Sequence, residues 1–189
     1  MRIGIDIDDT LTKTTEIILK YAEMFNAEYD YKLVDNMKAS LKGEIIEKKY
    51  MDFYRKYIVQ MSMEVELKEH SKEIIDKLLS EGHEIYFITA REDNFYKDSY
   101  KVTYDYLKKN NVNYTKLVTG NVNKGITCKL EKIDVFFDDL YKNVIDVDNV
   151  NIKAVLYNSV NNMDINSSVD RINSWIELYE YVNKLNDKF

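Results

Sequence analysis

The stretch Ile3-Gly4-Ile5-Asp6-Ile7-Asp8-Asp9-Thr10 decides the fold. Ile3 to Ile7 is a short β-branched run that closes in carboxylates, the pattern of a buried strand whose C-terminal end carries polar chemistry. Downstream, Thr14 to Asn26 carries Ile17, Ile18, Tyr21, Met24 and Phe25 at helical spacing. Ala27 to Gly43 gives no clear period. A second helix then follows from Ile46, Tyr50, Phe53 and Tyr57, at intervals of four, three and four residues.

From Lys68 the pattern alternates. A helix over Lys68–Glu81 shows paired Ile74-Ile75 and Leu78-Leu79 and stops at Gly82, the residue best suited to the left-handed conformation after a helix. Strands are predicted at Glu84–Thr89, Lys116–Thr119, Ile133–Phe137 and Ile152–Tyr157. Helices are predicted near Asn94–Lys109, Asn123–Glu131, Tyr141–Val147 and from Ser174, where Glu177 completes a capping box. Alternating strands and helices imply an α/β fold with a parallel sheet. The natural division places a core in residues 1–12 and 68–189 and a small helical cap in residues 13–67.

Composition narrows the function. A net charge of −6 argues against a nucleic-acid duplex as partner, because such binding relies on a basic surface that releases counterions. One cysteine excludes an internal disulfide, and two separated histidines, His70 and His83, exclude the common His-based zinc sites, so a metal here should take oxygen ligands. The N-terminal apolar stretch is too short for a signal peptide, and no segment approaches the roughly 20 apolar residues of a membrane span. The expectation is a soluble, cytoplasmic protein with no membrane partner.

In open parallel sheets ligands bind beyond the carboxyl ends of the strands. Asp6, Asp8, Asp9 and Thr10 follow the first strand, Thr89, Ala90 and Arg91 the second, and Asp138 and Asp139 the strand through Phe137. So many carboxylates repel one another unless a cation sits among them, and Mg²⁺ suits a hard oxygen set of Asp6 with Asp138 or Asp139. Asp6 reads as a nucleophile toward phosphorus. Asp8 reads as the acid that protonates the leaving alkoxide and then the base that activates water, which requires a raised pKa. Asp9, Thr10, Thr89, Ala90 and a lysine form the candidate phosphate cradle, with Lys124 preferred and Lys129 as the alternative. Arg91 could meet a phosphate or pair with an acidic neighbour. Tyr50, Phe53, Tyr54 and Tyr57 could stack on a base or simply fill a core, and Cys128 reads as a small buried apolar residue.

These residues resemble a known family. Ile5-Asp6-Ile7-Asp8-Asp9-Thr10-Leu11, Ile88-Thr89, a lysine and Phe137-Asp138-Asp139 follow the order of the four motifs of the haloacid dehalogenase (HAD) superfamily. Ile88-Thr89-Ala90-Arg91, the Lys124–Asp139 segment with Cys128-Lys129, Tyr157-Asn158 and Arg171-Ile172-Asn173-Ser174-Trp175 resemble the 5'(3')-deoxyribonucleotidase group and its bacterial nucleotidase relatives. The resemblance implies a Rossmann-like HAD core with a parallel sheet flanked by helices and a small helical cap inserted after the first strand. It also implies catalysis by Asp6, Asp8, Thr89 and Lys124, with Mg²⁺ held by Asp6, the backbone carbonyl of Asp8, and Asp138 or Asp139. The substrate it implies is a small phosphate ester, a nucleotide, with the cap setting the choice.

Three other readings compete. One is a phosphatase for sugar phosphates or another small phosphometabolite. Another is a receiver-like signalling module, whose aspartate, threonine and lysine would come in a different order. The last is a non-catalytic binding descendant of the fold.

Overall fold

Strand β1 (Arg2–Ile5) is buried on both faces because it lies in the middle of a sheet. A computed structural model describes residues 1–29, 48–120 and 123–186, with side chains from 29 and 48–50 left aside. β1 pairs in parallel with β2 (Glu84–Ile88) on one side and β4 (Val135–Asp138) on the other. β3 (Lys116–Val118), β5 (Lys153–Tyr157) and β6 (Asp170–Ile172) complete a six-stranded sheet in the order β3-β2-β1-β4-β5-β6, every pairing parallel. Gly4 allows this close packing. A Cβ added there would lie 2.8 Å from Phe136 Cδ2 and 3.1 Å from Ile133 Cγ2.

The strand alternation sorts two cores onto the two faces. Ile3, Ile5, Ile85, Phe87, Val135 and Phe137 meet α3 (Ser71–Ser80), α4 (Ser99–Lys109) and α7 (Trp175–Asn186). Tyr86, Ile88, Phe136, Ala154 and Leu156 meet α5 (Lys124–Leu130) and α6 (Tyr141–Asp148). The fold is a three-layer, Rossmann-like α/β sandwich. α1 (Thr14–Tyr29) and α2 (Lys48–Glu64) share a third apolar cluster of Tyr21, Ala22, Phe25, Phe53, Tyr57 and Met61, and touch the first core through Ile17 and Met63. No helix among the described residues is long and apolar enough to cross a membrane.

The helical pair joins the sandwich through a narrow neck. Thr12 and Leu67 form an antiparallel bridge, Lys13 N–H donates to Glu66 O at 2.9 Å, and Lys68 N–H donates to Leu11 O at 2.9 Å. The helices also lean on the loop after β2. Ser62 and Tyr96 hydroxyls lie 2.9 Å apart, and the Tyr54 and Phe95 rings are 6.0 Å apart.

Several boundaries differ from the sequence reading for local reasons. β1 ends at Ile5, not Ile7, although Asp6 N–H still reaches Phe137 O at 2.9 Å. The helix expected from Asn94 starts at Ser99, because extended Asp98 accepts the Lys101 N–H at 2.8 Å and caps it there. The helix expected from Lys68 starts at Ser71. Strand β6 was not foreseen, since three residues at a sheet edge leave no period to read. At α7, Ser174 Oγ accepts the Glu177 N–H at 3.2 Å, but the Glu177 carboxylate takes the Asn173 N–H at 2.8 Å rather than that of Ser174. Ile46, part of the expected second helix, and the Tyr50 side chain lie outside the described residues.

Candidate active site

The C-terminal ends of β1, β2 and β4 converge, and the turn after β1 is tightly drawn. Ile7 O accepts the N–H of Leu11 at 2.9 Å and of Thr12 at 3.1 Å, and also the Thr12 hydroxyl at 3.0 Å. Asp9 makes the reversal at φ 56°, a left-handed conformation that Asp tolerates better than most side chains. Its carboxylate then binds the start of α1, accepting from Thr15 N–H at 2.8 Å and Thr15 Oγ1 at 2.5 Å. Trp175, expected only to pack, is fully buried and its Nε1–H donates to Thr10 O at 3.1 Å, pinning the same turn.

Lys124 lies at the first position of α5, whose cap is Asn123 through the Ile126 N–H at 2.9 Å. Gly125 lets this short helix press on α6, for a Cβ there would stand 2.9 Å from the Asp146 carbonyl carbon. The outcome is a lysine only 1% exposed, with Nζ 2.5 Å from Asp6 Oδ1, 3.6 Å from Asp138 Oδ2 and bonded to Ile88 O. Lys129 is exposed on another side of α5.

Asp6, Asp138 and Asp139 each offer an oxygen such that the three lie within 4.8 Å of one another. Asp138 Oδ1 accepts the Leu140 N–H at 2.7 Å and Oδ2 accepts Asn143 Nδ2 at 2.9 Å. The Asp139 carboxylate accepts only the Ser159 hydroxyl, at 3.1 Å, among the described residues. Burial pushes the Asp6 carboxyl up to about 7, against the pull of Lys124 and with help from Asp138 and Asp8. Burial likewise raises Asp138, and it raises Asp139 well above the ordinary range with Asp138 and Asp6 adding to it. Three carboxylates, Asp6 and Asp138 buried and Asp139 half-buried, with no imidazole or thiolate among them form a hard oxygen donor set, which fits Mg²⁺ better than Zn²⁺.

Asp8 departs from its expected electrostatics. Burial alone would raise its pKa, but the Arg91 guanidinium overrides it and holds the carboxyl below the usual range, with Thr14 assisting. Arg91 Nε donates to Asp8 Oδ2 at 3.0 Å and Nη2 to Oδ1 at 2.7 Å, and Thr14 Oγ1 donates to Oδ1 at 2.9 Å. The carboxylate of Asp8 therefore faces Arg91 and is not one of the three that cluster, so any part it takes in metal binding falls to its backbone carbonyl.

The cradle residues are placed as follows. Thr89 is buried, its N–H donating to Val118 O at 3.0 Å and its hydroxyl accepting the Arg91 N–H at 3.4 Å. The N–H groups of Asp9, Thr10 and Ala90 have no acceptor among the described residues, and neither has the buried Thr10 hydroxyl. The supporting amides escaped the sequence reading. Asn143 holds Asp138, Asn161 Nδ2 donates to Thr15 Oγ1 at 3.0 Å, and Asn162 Nδ2 donates to Asp139 O at 2.7 Å and Tyr157 O at 2.8 Å. The one hint was the run Asn158-Ser159-Val160-Asn161-Asn162 directly after β5. Cys128 is fully buried in the second core, where burial pushes its thiol up to about 12.

No family model matches the chain. It is 29% identical over 190 residues to a Clostridium acetobutylicum protein named a nucleotidase, covering 100% of this chain and 96% of that one. A Bacillus subtilis protein that carries the nucleotidase name provisionally is 27% identical over 186 residues, covering 97% and 94%. The backbone also matches a Bacillus subtilis protein described as a HAD-type hydrolase bound to magnesium, with a TM-score of 0.67, 13% identity, and coverage of 96% and 98%. This chain thus has the fold of the haloacid dehalogenase-like hydrolases and resembles, over its whole length, proteins named nucleotidases.

Proposed function

We propose that this protein hydrolyses phosphate monoesters of nucleotides, with Asp6 as the attacking group. The observation that carries the reading is the Asp6 carboxylate itself: buried at a strand end, backed by Lys124 and faced by Asp138 and Asp139. Nucleotides as the substrate class rest on the names of the two full-length relatives.

In the first step an Asp6 oxygen bonds to phosphorus while the ester P–O bond breaks, and its electron pair leaves on the ester oxygen. Asp8, in its protonated form, gives that oxygen a proton. In the second step water attacks phosphorus, passes a proton to Asp8, and the bond to Asp6 breaks to release phosphate. Lys124 holds Asp6 in line and balances charge on the phosphoryl group, while the Thr89 hydroxyl and the free N–H groups of Asp9, Thr10 and Ala90 hold its oxygens. Asp6, Asp138, Asp139 and the Asp8 carbonyl would hold Mg²⁺, which when bound neutralises charge on the transferring group.

The helical pair acts as a cap, residues 13–67, over a core made of residues 1–12 and 68–189. It is attached by the Thr12–Leu67 neck and touches the β2 loop through Ser62–Tyr96, so it is well placed to meet the leaving group. The test is phosphate release from a panel of nucleoside monophosphates and sugar phosphates, with Mg²⁺, for the natural protein and Asp6→Asn. Asp6-dependent release favouring nucleotides supports the reading. A preference for sugar phosphates keeps the chemistry and discards the substrate, and no Asp6-dependent release from any ester removes both.

A further inference from the structure

Two buried cations lie against the carboxylates after β1, Lys124 on Asp6 and Arg91 on Asp8. Lys124 is committed to Asp6, Asp138 and the Ile88 carbonyl. Arg91 is committed less fully. Its residue is 6% exposed, and it spends Nε and Nη2 on Asp8. Nη1 is buried and has no hydrogen-bond partner among the described residues. Nearby hydroxyls are already engaged, Tyr96 with Ser62 and Tyr106 with Val65 O at 3.0 Å. Buried guanidinium donors are seldom left idle, so an idle one on the side chain that grips Asp8 points to an acceptor that arrives from outside.

Asp8 has the complementary problem. Clamped on both oxygens by Arg91, and by Thr14 on one, it is not free to reach a leaving group. A phosphate and a carboxylate offer a guanidinium the same forked pair of acceptors.

We propose that Arg91 is a phosphate-binding residue of this cleft and that Asp8 is its internal competitor: the incoming ester takes over the guanidinium and thereby releases Asp8. The proposal rests on the phosphomonoesterase reading. It adds that free and loaded states differ in which anion Arg91 holds, so that Asp8 is freed only when an ester is present. The apparent affinity for phosphate is then reduced by the fraction of protein in which Asp8 keeps Arg91.

Titration calorimetry with inorganic phosphate in the presence of Mg²⁺ tests this on four proteins: natural, Asp8→Asn, Arg91→Lys and the double variant. Asp8→Asn should bind phosphate about tenfold more tightly, Arg91→Lys about tenfold more weakly, and the Asp8→Asn gain should vanish in the double variant. A gain that survives in full without the guanidinium means Asp8 merely repels the anion, and overturns the proposal. If Arg91→Lys does not fold, the Arg91 Nε–H NMR signal of the natural protein decides: saturating displacement by phosphate supports the exchange, and an unmoved signal overturns it. Phosphate binding by none of the four removes the phosphomonoesterase reading and this proposal together, whereas binding by the natural protein with a persistent gain removes the proposal alone.

Discussion

Lys124 Nζ and Asp6 Oδ1 lie 2.5 Å apart in a part of the protein where neither residue is more than 6% exposed. A buried pair of this kind has little margin, because the desolvation of both ions is offset only while each keeps the other. Lys124→Met should therefore cost about 3–5 kcal/mol of unfolding free energy, since it leaves Asp6 and Asp138 buried without a counter-charge. Denaturant unfolding checks the size, and a loss below about 1 kcal/mol would mean water screens the pair.

The pH dependence of that stability has a definite sign. Asp6 is raised to about 7 in the folded state, so between its unfolded value near 4 and about 7 the folded chain holds more protons than the unfolded one. Its contribution is complete below about pH 4 and is lost as pH rises toward 7. In EDTA, the unfolding free energy of the natural protein minus that of Asp6→Asn should fall across this window. Mg²⁺ should flatten the fall, because a cation stabilises the ionised form. A difference that is level in EDTA would mean that Asp6 is ionised throughout.

Gly125→Ala should damage the site from behind. The added methyl meets the backbone of Asp146, which cannot swing aside as a side chain would, so α5 must shift and carry Lys124 with it. We expect a loss of about 1–3 kcal/mol in stability, as for overpacking elsewhere, and a fall in turnover larger than in substrate affinity. Unchanged turnover would show that Lys124 tolerates displacement of its helix.

Cys128 should be inert in the native protein. Its thiol is fully buried and pushed up to about 12, so at pH 8 the reactive thiolate is about a thousandfold scarcer than for an ordinary cysteine. A chromogenic thiol reagent should label it only after addition of denaturant. Prompt labelling without denaturant would show that α5 opens readily.

The Ser62–Tyr96 contact should couple the helical pair to the core. Ser62→Ala, Tyr96→Phe and the double variant form a cycle in which a buried hydroxyl pair at 2.9 Å is expected to give about 1 kcal/mol of coupling. Additive effects would show that the two hydroxyls bond elsewhere.

Much of this architecture was legible because short strands buried on both faces read as apolar runs, and β1, β2, β4 and β5 were found within a few residues. β6 escaped for want of length, and the helix expected near Asn94 begins only at Ser99 because Asp98 caps it there. At the site, topology was enough to expect that the residues just past the ends of β1, β2 and β4 lie together, as Asp6, Asp138 and Asp139 do. Which partner a residue takes was less legible: Arg91 was open to a phosphate or an acidic neighbour, and only the folded chain shows that the acid is Asp8, 83 positions away, and that the pair reverses the expected shift of Asp8. The choice between Lys124 and Lys129 also needed the fold. One turn after Lys124 comes buried Cys128, whereas Lys129 rotates out to solvent.

The Thr12–Leu67 bridge brings the exit and return of the chain into register, with Leu11 and Lys68 directly bonded across it. The chain leaves and returns there across a single bridge. The 54 residues between Thr12 and Leu67 therefore leave and rejoin the sheet side at one place, so a change in their length need not pull on β1. The same junction sets Thr14 and Thr15 beside Asp8 and Asp9, so the helical pair is fastened to the carboxylates at its root as well as to the β2 loop at its far end.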